Sequence, residues 1–548
     1  MVGKKNYELN KVDQVWSIKG ILEKAVKEAG TKNAFRYKKG EEVIDITYEE
    51  FQKDTIYLGT ALEEMGLGNK HIAVIGDNSY DWLTVYLTVL KSKSVLVPVD
   101  KELPLKDIIN VLNRSESEVL FYAGRFQKDI EEIRKALPQI KYFIGFDVKE
   151  DNEKELSFVK LKNKGQELFE KGNDSFTKIE NDQYALKMIV YTSGTTGLAK
   201  GVMLSEHNLL SVVNYGLQVA TVYDSCLSVL PYHHTYEAVA GILVALHYHA
   251  TICINDSLKN VLPNIQYFKP EYIYLVPAFA EVFYKKIWTT IKSQNKEKLV
   301  KTMIKISNGL RKVKIDLRKI LFKSITGAFG GKLKEIVVGG APLRAEIGDF
   351  FDAIGIDLLN GYGITECSPL VSVNRPKFND PATVGVILPC CEVKIADTTD
   401  EGIGEICVKG DIVMMGYYKD EERTKEVLTE DGWFKTGDYG MINEKGQLLI
   451  TGRKKNIIVL NNGKNVYPEE IENYILGIPY VQEVVVKESK KGNNLCAEVF
   501  LGEEKITKTQ LKKDIAEVTK ELPVYKRIAD VEIRKEEFVK TTTNKIRR

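Results

Sequence analysis

Tyr191-Thr-Ser-Gly-Thr-Thr-Gly-Leu-Ala-Lys200-Gly201 joins the apolar run 188–191 to a helical pattern that starts near Ser205. Its eleven residues include four Ser/Thr hydroxyls, three glycines and a lysine. Successive backbone N–H groups in a Gly-rich turn form a concave anion site, and hydroxyls add further donors. The stretch reads as a mobile phosphate-handling loop set after a buried strand. It is not a Walker loop, because the position five residues beyond Gly194 is Ala199 and the GxxxxGK[ST] spacing fails. A plain surface loop has the same composition, so its neighbours must decide the reading.

Upstream, residues 48–65 carry Phe51, Leu58, Ala61, Leu62 and Met65 at helical spacing and stop at Gly66. A short buried strand at 71–75, a helix around 82–90 and a strand at 94–99 follow, the rhythm of a doubly wound sheet. The rhythm returns at 119–122, 142–146, 186–191, 225–231, 251–254, 272–276 and 335–338. From about residue 380 the texture changes to short β-rich runs (392–395, 404–408, 447–451) between Gly, Asp and Asn turns, which suits a barrel-like or antiparallel unit. Beyond Lys454 and Lys455 an α+β tail is expected, with helices at 468–476 and 509–520 and strands at 481–486 and 496–501.

The 548 residues exceed one ordinary core. Hydrophobic residues make up 44% and charged residues 28%, an ordinary globular balance rather than a disordered one. Seventy-eight basic against 76 acidic residues leave a formal charge of +2, no footprint for nucleic acid. Seven scattered cysteines without a CxxC pair read as reduced thiols, and no signal peptide or 20-residue apolar span is visible, so a cytoplasmic protein is expected. Against that balance, residues 292–334 are markedly basic, with Lys301, Lys305, Arg311, Lys312, Lys314, Arg318, Lys319 and Lys323 between Leu, Ile and Val. Two readings stand: a solvated helix face, or peripheral contact with the anionic cytosolic face of a membrane.

Further motifs follow the loop in order. Leu230-Pro-Tyr-His-His234 ends an apolar strand, and Val338-Gly-Gly-Ala-Pro342 ends another with a turn at Gly340, Ala341 and Pro342 that exposes backbone. In Asn360-Gly-Tyr-Gly-Ile-Thr-Glu366, Tyr362 offers an aromatic face, Gly361 and Gly363 allow close backbone approach, and Glu366 supplies a hard carboxylate suited to Mg²⁺. Thr436-Gly-Asp438, Thr451-Gly-Arg453, Asn462-Gly-Lys-Asn465 and Thr541-Thr-Thr-Asn-Lys545 complete the series. Together these stretches resemble the signatures of the adenylate-forming superfamily of acyl-CoA synthetases, luciferase-like enzymes and peptide-synthetase adenylation domains. The best match is the long- or medium-chain fatty acyl-CoA synthetase branch, supported by Pro270-Glu-Tyr-Ile-Tyr-Leu-Val-Pro277 and Gly76-Asp-Asn-Ser-Tyr-Asp-Trp82.

The resemblance implies an α/β fold. A large N-terminal domain (1–454) would hold two doubly wound αβ subdomains and a small β-barrel-like subdomain at about 380–450, followed by a small mobile α+β domain at 455–548. It implies an ATP-, Mg²⁺- and coenzyme A-using acid–thiol ligase, with an acyl carrier protein as the alternative acceptor. A non-catalytic nucleotide-binding scaffold is the reading from another class. Thr192, Ser193, Gly194, Thr195, Thr196, Gly197 and Lys200 would clamp the phosphates. Gly340, Ala341, Pro342, Asn360, Gly361, Tyr362, Gly363 and Thr365 would line the adenine. Asp438 and Arg453 would hold ribose and phosphate, and Thr192 and Glu366 would flank Mg²⁺. His234 would lie beside the acyl carboxylate, and Lys545, after Asn544 where glycine is usual, would be the catalytic lysine with Lys200 and Glu366. Lys455 would be the hinge and Gly463, Lys464 and Asn465 would line the thiol tunnel. Aromatic residues at 267, 268, 272, 274, 279, 283 and 284 could line an acyl tunnel, but a strand–helix core explains most of them. Chain length of the acid and oligomeric state, monomer or homodimer, stay open.

Overall fold

A computed structural model describes residues 7–192, 199–460, 464–489, 494–502, 504–540, 546 and 548. Local chemistry sets the elements. The helix Tyr48–Glu64 starts at a capping box in which Thr47 and Glu50 satisfy each other's backbone N–H. It buries Phe51, Leu58, Ala61 and Leu62, and ends before Gly66 at φ +71°. The strands Val95–Val99 and Val119–Tyr122 are buried throughout, as a sheet covered on both faces requires.

Two large, mainly parallel sheets carry the chain. The first has eight strands in the order Gly416–Tyr417, Lys200–Ser205, Leu186–Thr192, Val95–Val99, His71–Ile75, Val119–Tyr122, Tyr142–Gly145, Leu156–Ser157. The second has nine: Val386–Ile387, Leu370–Val373, Asp357–Gly363, Glu335–Val338, Tyr272–Leu275, Ser225–Ser228, Thr251–Ile254, Asn33–Lys39, Glu42–Thr47. Helices between the strands cover the faces, the doubly wound arrangement expected from the periodicity. Their carboxyl ends meet. Asn78, after His71–Ile75, donates to the Leu230 carbonyl at 2.8 Å and accepts from the Tyr232 N–H at 3.2 Å. Asp100, after Val95–Val99, lies 3.3 Å from His233 Nε2.

One expectation changes and strands are added. The β-rich unit is a four-stranded antiparallel sheet, Cys391–Ala396, Gly404–Gly410, Phe434–Ile442, Leu448–Arg453, whose outer strands do not pair with each other. No closed barrel occurs among the described residues; four strands are too few to close around packed side chains. Between the Gly-rich loop and the expected helix near Ser205 lies an unread strand, Lys200–Ser205, which pairs antiparallel with Leu186–Thr192. The helix Glu206–Val219 comes only afterwards, capped by Ser205. Its N-terminus therefore sits a strand's length from the loop. The last sheet, Glu483–Glu488, Leu495–Phe500, Ile528–Arg534, has its own core around Ile471, Ile475, Val484, Val499, Leu511 and Val531. The strand Ile528–Arg534, in which Val531 and Ile533 alternate with Asp530, Glu532 and Arg534, is not among the strands expected from the sequence.

Candidate active site

Three loops at the carboxyl edge of the nine-stranded sheet converge. Gly339 follows Glu335–Val338, and a Cβ there would stand 3.4 Å from both the Gly361 carbonyl oxygen and Tyr236 Cζ. The Tyr236 hydroxyl donates to the Val337 carbonyl at 3.2 Å. Gly340, at φ +85°, Ala341 and Pro342 are exposed beside them. Asn360 is buried and anchored on the Pro381 carbonyl at 2.9 Å.

Tyr362, Asp438 and Arg453 form one group. The Tyr362 hydroxyl donates to Asp438 Oδ2 at 2.7 Å, and Arg453 Nε lies 2.8 Å from Asp438 Oδ1. Asp438 and Arg453 are register partners on neighbouring antiparallel strands, which fixes their pairing. Asp438 is buried while Arg453 is exposed, so the guanidinium reaches solvent.

Glu366, in the short turn Thr365–Cys367, forms the centre of a second group. Tyr417 donates to its Oε1 at 2.9 Å. Burial raises the Glu366 carboxyl above the usual carboxylate range, while Lys200 and Arg453 pull it down. Lys200 Nζ stands 4.9 Å from the centre of the Tyr417 ring, and Lys200 is the register partner of Thr192 across the hairpin. Lys200, Thr192, Tyr417 and Glu366 thus meet where Gly416–Tyr417 adds to the sheet edge. Residues 193–198, including Ser193, Gly194, Thr195, Thr196 and Gly197, lie outside the described residues.

Beyond Leu230 the two imidazoles pack at a tilt, with His233 and His234 ring centres 4.1 Å apart and their planes at 52°. Burial, His234 and Lys101 hold His233 well below the ordinary imidazole range, so it is neutral. A π-helix, Tyr236–Leu243, follows at once and buries Glu237, which accepts from the Ser228 hydroxyl at 2.5 Å. Burial pushes the Glu237 carboxyl up to about 8, against the Ser228 hydroxyl and the amides of residues 229 and 230.

The small terminal unit supplies the remaining expected residues. Lys455 sits in the turn Lys454–Asn456, its ammonium held below the usual range by burial and by Arg453 and Arg548. Asn465 opens the strand Asn465–Val466, and the Lys464 carbonyl accepts from the Leu460 N–H at 3.0 Å. Arg548 pairs with Glu472 and, at 3.4 Å, with Glu469. Gly463, Asn544 and Lys545 lie outside the described residues.

Sequence reading missed Tyr417, Asp100, Asn78, Tyr236 and Glu237. Each acts on a partner from another element, and no local pattern signals that.

The model of the AMP-binding enzyme family matches residues 22–418. This chain belongs to that family. The AMP-binding enzyme is 29% identical over 513 residues to fatty acyl-CoA synthetase B of Dictyostelium discoideum, covering 86% of this chain and 75% of the relative. It is 31% identical over 480 residues to long-chain-fatty-acid–CoA ligase 5 of Mus musculus, covering 81% and 69%. A chloroplastic long-chain-fatty-acid–[acyl-carrier-protein] ligase of Arabidopsis thaliana is 28% identical over 526 residues, covering 81% and 70%. In fold it matches an anthranilate CoA ligase solved with anthranoyl-AMP, with a TM-score of 0.78, 20% identity and coverage of 98% and 96%.

Proposed function

We propose that this AMP-binding enzyme is an AMP-forming ligase that activates a medium- or long-chain fatty acid with ATP and passes it to coenzyme A. The observation that carries the reading is the meeting of two cations, Lys200 and Arg453, with two buried carboxylates, Glu366 and Asp438. Relatedness to fatty acyl-CoA ligases over more than four fifths of the chain supports it.

A carboxylate is a poor acyl donor because its leaving group would be oxide. Attack of the fatty carboxylate oxygen on the α-phosphorus of ATP forms an acyl–O–P bond and breaks the bond to the β-phosphate, releasing pyrophosphate. The barrier is largely the approach of two anions, so positioned cations carry the catalysis. Lys200 neutralises the departing pyrophosphate, and Lys545 bridges the acyl carboxylate and the α-phosphate. Tyr362 packs on adenine. Asp438, which binds Tyr362 and Arg453, accepts from the ribose hydroxyls. Neutral His233 packs at a tilt against His234, which is placed toward the acyl carboxylate. In the second step the thiol sulfur attacks the acyl carbon, the carbon–oxygen bond to AMP breaks, and the thiol proton leaves to solvent.

Mg²⁺ fits this donor set. No group of three or more His, Cys, Asp or Glu side chains able to hold a metal occurs among the described residues. Glu366 and the Thr192 hydroxyl would supply hard oxygens beside the phosphates and water, the sparse protein shell that Mg²⁺ takes. When bound, the ion neutralises phosphate charge; the raised Glu366 carboxyl would ionise fully beside it.

Acid-dependent ATP–pyrophosphate exchange across saturated acids of increasing chain length tests the proposal, with AMP release then followed on adding coenzyme A. Exchange should peak with medium or long chains. Absence of acid-dependent exchange at every length would sink it. The Arabidopsis relative favours a second reading, delivery to an acyl carrier protein, and a holo-carrier protein in place of coenzyme A decides between them.

A further inference from the structure

The helix Glu297–Lys312 packs its inner face on the second core through Val300, Met303 and Ile304, and Arg311 is tied to Asp352 at 2.6 Å. Its outer face carries two rows with a seven-residue repeat. Leu299, Ile306 and Val313 form one; they are 56%, 55% and 66% exposed. Lys298, Lys305 and Lys312 form the other. Residues seven apart differ by only about 20° around a helix, so each row runs straight along it, with the lysines about 100° away. Those three lysines form no ion pair among the described residues, whereas Lys301 is paired with Glu297 and Arg318 with Asp316 and Asp352. Beyond the helix Ile315 and Ile320 are 48% and 74% exposed, interleaved with Lys314 and Lys319.

The charge is local. Residues 292–334 hold thirteen Lys or Arg and two acidic residues, in a chain whose total is +2, so the remainder is net acidic. An apolar row that the inner core does not use, bordered by unpaired lysines, is the pattern of an element lying in a bilayer interface. A purely solvated face has no use for Leu, Ile and Val every seventh residue. A protein partner of matching shape would not require that charge excess. No helix among the described residues is long and apolar enough to cross a membrane, so contact here would be from the surface.

We propose that the outer face of Glu297–Lys312, with the segment through Ile320, docks the enzyme on an anionic lipid bilayer. Leu299, Ile306, Val313 and Ile320 enter the headgroup boundary, and Lys298, Lys305 and Lys312 meet lipid phosphates. The surface lies outside the nucleotide site, so its test is independent of the ligase reading.

The full-length protein is sedimented with vesicles of phosphatidylcholine alone and of phosphatidylcholine with about one third phosphatidylglycerol. Wild type should partition at least about tenfold better onto the anionic vesicles, and raised salt should weaken that binding. L299Q/I306Q/V313Q and K298E/K305E/K312E should each lose about tenfold or more of it. Both should keep the wild-type circular dichroism and melting temperature, and the same exchange rate with a short soluble acid. Equal binding to neutral vesicles, no binding to either, or unchanged partition of both variants would overturn the proposal. So would a wild-type dimer in sedimentation that the apolar variant converts to monomer, because a second copy would then cover the face. Failure of exchange with every acid would remove the ligase reading and leave the partition result standing.

Discussion

Glu237 is a residue whose protonation should be visible in stability. Its carboxyl is raised to about 8 by burial, whereas in the unfolded chain it titrates near 4.5. Between those values the folded state holds a proton that the unfolded state has released. Stability from this group is therefore fully present below about pH 4.5 and declines as pH rises through about 8. Lys91, lowered to about 7 by burial, works in the opposite direction, so comparison within one background is needed. Glu237→Gln keeps an oxygen to accept from Ser228 and cannot ionise. Between pH 5.5 and 8.5 the wild-type melting temperature should fall by roughly 3 °C more than that of the variant. Parallel curves would mean that Glu237 is ionised in the fold. Nothing around residue 237 hinted at this, since burial on a π-helix is a tertiary fact. Tyr362, Asp438 and Arg453 could be grouped in advance because each sits in a distinctive short motif. Tyr417, 51 positions from Glu366, belongs to no such motif.

At the scale of elements, nine strands of the two large sheets were legible because their apolar runs are short and uninterrupted. Others were not, among them an edge strand and its neighbour. Gly416–Tyr417 is two residues long, and Lys200–Ser205 begins inside what reads as loop. Their state depends on neighbours rather than on propensity. Glycines where strands pass close to one another carry sharp predictions. Gly363 pairs with Leu370, and a Cβ there would lie 1.7 Å from the Pro369 carbonyl oxygen. That contact is with backbone and cannot be relieved by a rotamer. Gly363→Ala should destabilise by about 3 kcal/mol and weaken ATP binding, because the strand leads into the Glu366 turn. Gly340→Ala meets nothing within 4 Å and carries only the strain of φ +85°, about 1 kcal/mol. Melting both variants alongside a nucleotide titration checks the order, and an unshifted Gly363→Ala would refute the steric argument.

At the scale of the molecule, one cleft has to serve two different half-reactions. The expected adenylation lysine, Lys545, and the expected thiol-side residues Lys464 and Asn465 all follow the turn Lys454–Asn456. They belong to a unit whose three-stranded sheet has its own core. They cannot exchange places at the acyl-adenylate unless that unit turns as a body, and the short turn is where the backbone can absorb the rotation. We propose Lys455 as that hinge. Lys455→Pro fixes φ near −65° and removes one backbone N–H. If the fixed angle suits the adenylating arrangement, ATP–pyrophosphate exchange should stay within about threefold of wild type. Thioester formation from preformed acyl-adenylate should fall about tenfold or more. Lys545→Ala should do the reverse, abolishing exchange while sparing thioester formation. Opposite losses in two residues of one small unit would be hard to produce by misfolding, which lowers both activities together. Equal loss of the two steps in Lys455→Pro would leave the turn as a linker and require the site to serve both chemistries without rotation.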